Sequence, residues 1–118
     1  MIHYMRLNPN AFDEIKNGTK KREYRLYDEK RQQIKIGDRI EFIRLPNMDE
    51  SVQTEVEGLL IYKNWHSCYE DFFEQDLINH YENIEAAVQD TYDNWWSKEK
   101  EEKYGCLIIK IKMIDNAE

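Results

Sequence analysis

Polar and apolar positions alternate and regroup along the chain in a way that predicts a run of short elements. Residues 2–7, Ile-His-Tyr-Met-Arg-Leu, predict a first strand in which Ile2, Tyr4 and Met5 supply the bulk. Asn8-Pro9 predicts a helix start, with Asn8 as N-cap and Pro9 where its missing N–H costs nothing. Phe12 and Ile15 form the apolar stripe of that helix, and Gly18 stops it as a left-handed residue. The next segment, 20–26, predicts a strand with two polar faces: Lys21, Glu23, Arg25 and Tyr27 on one, Lys20, Arg22, Tyr24 and Leu26 on the other. On a regular strand Lys20 and Glu23 therefore point apart.

Residues 27–33 are too polar for a strand and predict a loop with one helical turn, and Lys35-Ile36-Gly37-Asp38 predicts a turn. Ile40 and Phe42 alternate with charges across a strand at 39–45. A longer strand, 52–62, alternates through Val52, Thr54 and Val56, meets Gly58 and passes to Leu59, Leu60 and Ile61, which predicts a bulge or bend at the glycine. Ser67-Cys68-Tyr69-Glu70 matches a capping box ahead of a short helix with Tyr69, Phe72 and Phe73 on one side. Leu77–Tyr81 is a weaker segment. Ile84, Val88, Thr91, Tyr92 and Trp95 predict a helix starting at Asn83, and 98–103 is a solvated charge run at its end. Tyr104-Gly105 opens a last strand whose aliphatic start, Leu107 to Ile109, marks it as central. Strand, helix, strands, helical insertion and returning strand imply one α+β domain over 1–118 with a mixed, barrel-like sheet and flanking helices.

A length of 118 residues suits a single core, and an aromatic content of 13% argues against disorder despite 35% charged residues. Two cysteines are too few for a disulfide framework, which points to a reducing cytoplasm. The N-terminal residues lack the apolar run of a signal peptide, and nothing approaches the roughly 20 apolar residues of a spanning helix. Export and membrane insertion are not expected.

A net charge of −7 excludes indiscriminate coating of nucleic acid. Between Lys16 and Arg44, however, ten basic residues stand against five acidic ones, so this segment is +5 and the remainder −12. An acidic body with one basic segment fits a local anion site.

Phosphate-binding glycine loops, H-E-x-x-H and a serine elbow are all missing, and His3, His66 and His80 have no metal-ligand spacing. No cofactor or metal is expected. His66 with Cys68 is a conceivable base and nucleophile, but neighbours on one turn seldom face each other and a lone cysteine is more often a small buried hydrophobe. The stronger constellation is Lys20, Lys21, Glu23 and Arg25, following a glycine turn. Lysine and arginine suit phosphate or a carbonyl, and a glutamate beside them moves a proton or accepts from a base edge. Lys30 and Arg31 extend the basic groups, while Tyr24, Tyr27 and Trp65 are candidates for stacking a base. The plainer alternative is a charged edge strand that discourages pairing with other chains, with Glu23 and Arg25 as a structural ion pair.

Leu7-Asn8-Pro9, Phe12, Ile15-Lys16-Asn17-Gly18-Thr19-Lys20, Glu23-Tyr24-Arg25-Leu26 and Ile36-Gly37-Asp38-Arg39-Ile40-Glu41-Phe42 together resemble the ASCH domain family of the PUA-like superfamily. The likeness is strongest over 5–43 and returns at Glu102 to Ile109. It implies a small β-barrel, RNA or a nucleotide-like ligand as partner, and a basic cleft with Lys20, Glu23 and Arg25 at its floor. Some short bacterial relatives hydrolyse N4-acetylcytidine with a lysine, a threonine three residues later and a helical glutamate. Here Lys20 matches the lysine, Glu23 stands at the threonine position, and Glu82 is the nearest match to the glutamate. The first expectation is an RNA- or nucleotide-binding domain acting in RNA metabolism or translation-linked regulation. The second is an amidohydrolase using Lys20, Glu23 and Glu82, and the third a protein-interaction module using Trp65, Trp95 and Trp96.

Overall fold

The structure, a computed structural model, describes residues 1–114. Its elements are β1 (Ile2–Leu7), α1 (Pro9–Lys16), β2 (Arg22–Leu26), a 3-10 turn (Arg31–Gln33), β3 (Arg39–Arg44), β4 (Ser51–Tyr62), α2 (Trp65–Asp71), a π-helical turn (Phe73–Leu77), α3 (Ile84–Asn94), α4 (Lys98–Tyr104) and β5 (Cys106–Met113). The strands are ordered β1-β3-β4-β5-β2. β1 runs parallel to β3, pairing Ile2 with Arg39 through Leu7 with Arg44, and β3 runs antiparallel to β4, pairing Phe42 with Val52. The sheet is mixed, as the order of elements implied. β5 lies between two strands, as its aliphatic run required.

The chain divides into two compact units. Among the described residues, unit 1 holds 1–23, 34–59 and 109–114, and unit 2 holds 24–33 and 60–108. In unit 1, α1 forms as its sequence dictates. The Asn8 side chain accepts from the Ala11 N–H at 3.0 Å, Pro9 takes the first turn, and Phe12 and Ile15 are buried, as are Ile40, Phe42 and Val56 of the sheet. Buried His3 meets Asp38 at 2.8 Å, and Asp38 also accepts from the Lys35 N–H, so these bonds hold its carboxyl below the ordinary value of 3.8.

β4 runs unbroken through Gly58 from Ser51 to Tyr62. Thr54 and Val56 are buried, Leu60 and Tyr62 keep the even positions packed in unit 2, and Ile61 is 57% exposed. Leu59 is half-buried like Leu60, so the aliphatic run at 59–61 does not keep a strict alternation. The missing side chain at Gly58 makes room for the Lys110 stem, whose Cδ would lie 3.3 Å from an added Cβ.

Unit 2 is built around aromatic rings. Trp65 is fully buried and stacks on Tyr69 and Trp96, each with centroids 5.4 Å away, and Leu26, Cys68, Ala87, Cys106 and Ile108 complete the cluster. Two helix boundaries differ from expectation. α2 starts before the Ser67 box because the Asn64 side chain caps it, accepting from the Ser67 N–H at 2.8 Å. Residues 98–103 belong to a separate helix, α4, capped by Ser97, with Glu101 buried rather than solvated. Glu101 accepts from the Trp65 N–H and from the Tyr92 hydroxyl, both at 2.7 Å, so this carboxylate satisfies an otherwise orphaned donor at the start of α2. At Gly105, with φ +76°, a Cβ would lie 2.6 Å from the Tyr62 carbonyl oxygen, so only glycine lets the two backbones approach.

Candidate functional site

The chain leaves α1 through a turn fixed by local bonds. The Asn17 side chain accepts from the Thr19 N–H, Gly18 has φ +84°, and the Lys20 N–H donates to the Glu14 carbonyl at 2.9 Å. β2 begins only at Arg22, two residues later than the sequence pattern suggests. That delay resolves the parity conflict. Lys20 stands before the strand, where pleating does not govern its direction, and its Nζ lies 3.2 Å from Glu23 Oε1. Glu23 is only 4% exposed and Lys20 is half-buried. A carboxylate is costly to bury unless a partner compensates it, and Lys20 supplies an opposite charge.

Beside this pair, still within unit 1, lies a hollow of ≈ 270 Å³. Buried Ile15, Thr54 and Ile111 line it together with Gly18 and half-buried Met113, while Lys20, Lys21, Lys112 and Glu57 supply its charged groups. Lys21 comes with the β2 approach and Lys112 with β5, and the Ile111 N–H donates to the Lys21 carbonyl at 3.0 Å, which ties the two backbones together. Neither ammonium has an ion-pair partner among the described residues.

The remaining expected site residues belong to unit 2. Arg25 is half-buried on β2. Tyr27 is half-buried past the strand end, its N–H donating to the Gly105 carbonyl at 3.0 Å. Lys30 is exposed, and Arg31 is bound to Asp28 at 2.8 Å. Glu82 is exposed in the bend before α3. Trp65 has no face open to a ligand, because the core encloses it completely. His66 is exposed and points to Glu85 at 3.4 Å, whereas Cys68 is buried and burial pushes its thiol far up, so they do not form a base and nucleophile. Of the three tryptophans, only Trp95 is broadly exposed, at 62%.

Three residues of interest were not evident from the pattern. Lys112 looked like the polar alternate of a strand, and Glu101 looked solvated. Asp76, on the π-helical turn, accepts a hydrogen bond from the Tyr24 hydroxyl, next to Glu23 in sequence. A π-turn has no 3.6-residue stripe to reveal it, although such turns recur at functional sites. Among the described residues no three metal-ligating side chains gather, and no helix is long and apolar enough to cross a membrane.

A mixed sheet with α1 between its first two strands and a helical insertion before the last is the PUA-like α+β class that the sequence implied. The family model for the ASCH domain matches residues 5–115, and the chain belongs to that family. Its fold is similar to the crystal structure of hypothetical protein PH0355, at TM-score 0.80 and 34% identity over 97% of this chain and 100% of that one. The solution structure of protein PF0455 from Pyrococcus furiosus gives TM-score 0.74 and 32% identity over 98% and 99%. A serine-to-alanine variant of ZmASCH from Zymomonas mobilis shares the fold at TM-score 0.66 and 11% identity, over 97% of this chain and 73% of that one. No match was found among proteins of curated function.

Proposed function

We propose that this ASCH domain is a cytoplasmic binding domain for RNA or a nucleotide-like ligand, and that Lys20 and Glu23 make its principal contacts. The observation that carries the reading is the Lys20–Glu23 pair, a donor and an acceptor held 3.2 Å apart beside a lysine-lined hollow. An ammonium next to a carboxylate matches the alternating acceptors and amino groups on the Watson–Crick edge of an unpaired base. Lys21 suits the phosphates that position such a ligand without reading its sequence. The net charge of −7 confines binding to this basic segment and so favours short single-stranded or modified ligands over long duplexes.

Titration with a short single-stranded RNA tests the reading. Lys20→Ala and Lys21→Ala should each weaken binding, and each lost phosphate contact should flatten the slope of log K against log salt by about 0.7. Unchanged affinity and slope in both variants would reject it. The same 3.2 Å pair also suits proton transfer, which favours a second reading: hydrolysis of an N4-acylated cytidine, with Lys20 and Glu23 as acid and base. Turnover of N4-acetylcytidine that disappears in Lys20→Ala would replace simple binding with that activity.

A further inference from the structure

We infer that the lysine-lined hollow of unit 1 is a subsite for a phosphate monoester, held by Lys21 and Lys112 and assisted by Lys20. The inference rests on the nucleotide-binding reading above and says which part of the ligand goes where. Three ammonium groups and one carboxylate, Glu57, leave the lining at a formal +2, inside a unit whose ten basic and nine acidic residues nearly cancel among the described residues. A monoester carries about −1.5 to −2 near neutral pH, whereas a backbone diester carries one charge, so the terminal group is the better match.

Size points the same way. At ≈ 270 Å³ the hollow falls below the roughly 300–1,000 Å³ of pockets that enclose a whole small molecule, so it takes a charged end while the rest of the ligand lies outside. Part of the lining is apolar, with Ile15 and Ile111 buried and Met113 half-buried, while the charged Lys21, Lys112 and Glu57 are exposed. The backbones carrying the lysines are already fixed by the Lys20 N–H to the Glu14 carbonyl and by the Ile111 N–H to the Lys21 carbonyl. Lys20 is shared with Glu23, but Lys21 and Lys112 have no competing ion pair among the described residues.

The terminal phosphate could belong to a free mononucleotide or to the 5′ end of an RNA, and the experiment separates the two. Cytidine and cytidine 5′-monophosphate are titrated in parallel, followed by one short RNA with and without a 5′-phosphate. The methyl resonances of Ile111 and Met113 locate the binding. The expected result is a preference for the monophosphate of about tenfold or more, as charge-assisted hydrogen bonds supply. Lys112→Ala should cut that preference by about threefold or more, and Glu57→Gln should raise it. An equal gain from the 5′-phosphate on RNA identifies an RNA end; a gain confined to the mononucleotide identifies a free nucleotide.

If the phosphate brings no gain, or if Lys112→Ala and Glu57→Gln both leave the preference intact while RNA still binds through Lys20, the subsite is overturned and the binding reading survives. If neither nucleotide nor RNA binds at all, both fail together. Opposite expected signs for the two variants keep the result independent of any general loss of folding.

Discussion

Among the described residues, ten basic and nine acidic make unit 1 nearly neutral, whereas seven basic and thirteen acidic give unit 2 a charge of −6. The difference lies as much in how charges are used as in their number. In unit 2, Tyr24, Tyr62, Tyr81, Tyr92 and Tyr104 each donate to a carboxylate, on Asp76, Asp71, Asp90, Glu101 and Glu29 respectively. Several of its acids are thereby committed to holding its own side chains in place. In unit 1 the hollow keeps two lysines without ion-pair partners among the described residues, beside a buried carboxylate whose lysine sits at the edge of the same space. Acidity in the first case serves the fold; basicity in the second, at Lys21 and Lys112, has no such structural partner among the described residues.

The comparison is broken most severely at the aromatic core. Trp65→Ala should remove about 3–5 kcal/mol of stability in urea denaturation, because it empties the centre of a stacked cluster. Lys112→Ala, on the exposed side of unit 1, should stay within about 0.5 kcal/mol of the parent in the same assay. Next comes Glu101→Ala, which should cost about 1–3 kcal/mol by leaving the Trp65 N–H and the Tyr92 hydroxyl without their acceptor.

Alkaline pH should then weaken unit 2 through its phenols. Burial, with the bonds to Asp90 and Glu101 behind it, pushes Tyr81 and Tyr92 from 10.0 up to about 12. A raised phenol favours folding below pH 10 and loses that contribution as pH rises toward 12. Urea midpoints measured across that window should fall, and fall less when both tyrosines are replaced by phenylalanine. The smallest effect belongs to Asp38 in unit 1, whose carboxyl is held below 3.8 by His3 and the Lys35 N–H. Its contribution is complete above that value and is lost as pH drops below it. The gap in stability between the parent and Asp38→Asn should therefore narrow on acidification.

Much of unit 1 could be read directly from the residues. Asn8-Pro9, the Phe12 and Ile15 stripe, Gly18, and the alternation of Ile40 and Phe42 each act through local chemistry, and all appear where that chemistry puts them. What could not be read depended on contacts between distant segments. Glu101 is indistinguishable in sequence from its charged neighbours until Trp65, 36 residues away, places an N–H against it. Trp65 looked suitable for stacking a base, and it does stack, but on Tyr69 and Trp96 inside the core. At the site itself the residue types were legible, while the geometry turned on where β2 begins. A two-residue delay in the strand, invisible to alternation, brings Lys20 onto Glu23.

The central claim is that the basic segment following α1 meets the ligand and that the acidic, exposed-tryptophan side of unit 2 does not. Residue-resolved NMR during titration with a short single-stranded RNA tests it most directly. The account predicts shifts concentrated at residues 18–23 and at Lys112, saturating together. Shifts confined to α3 and the neighbourhood of Trp95, with residues 18–23 unmoved, would contradict it.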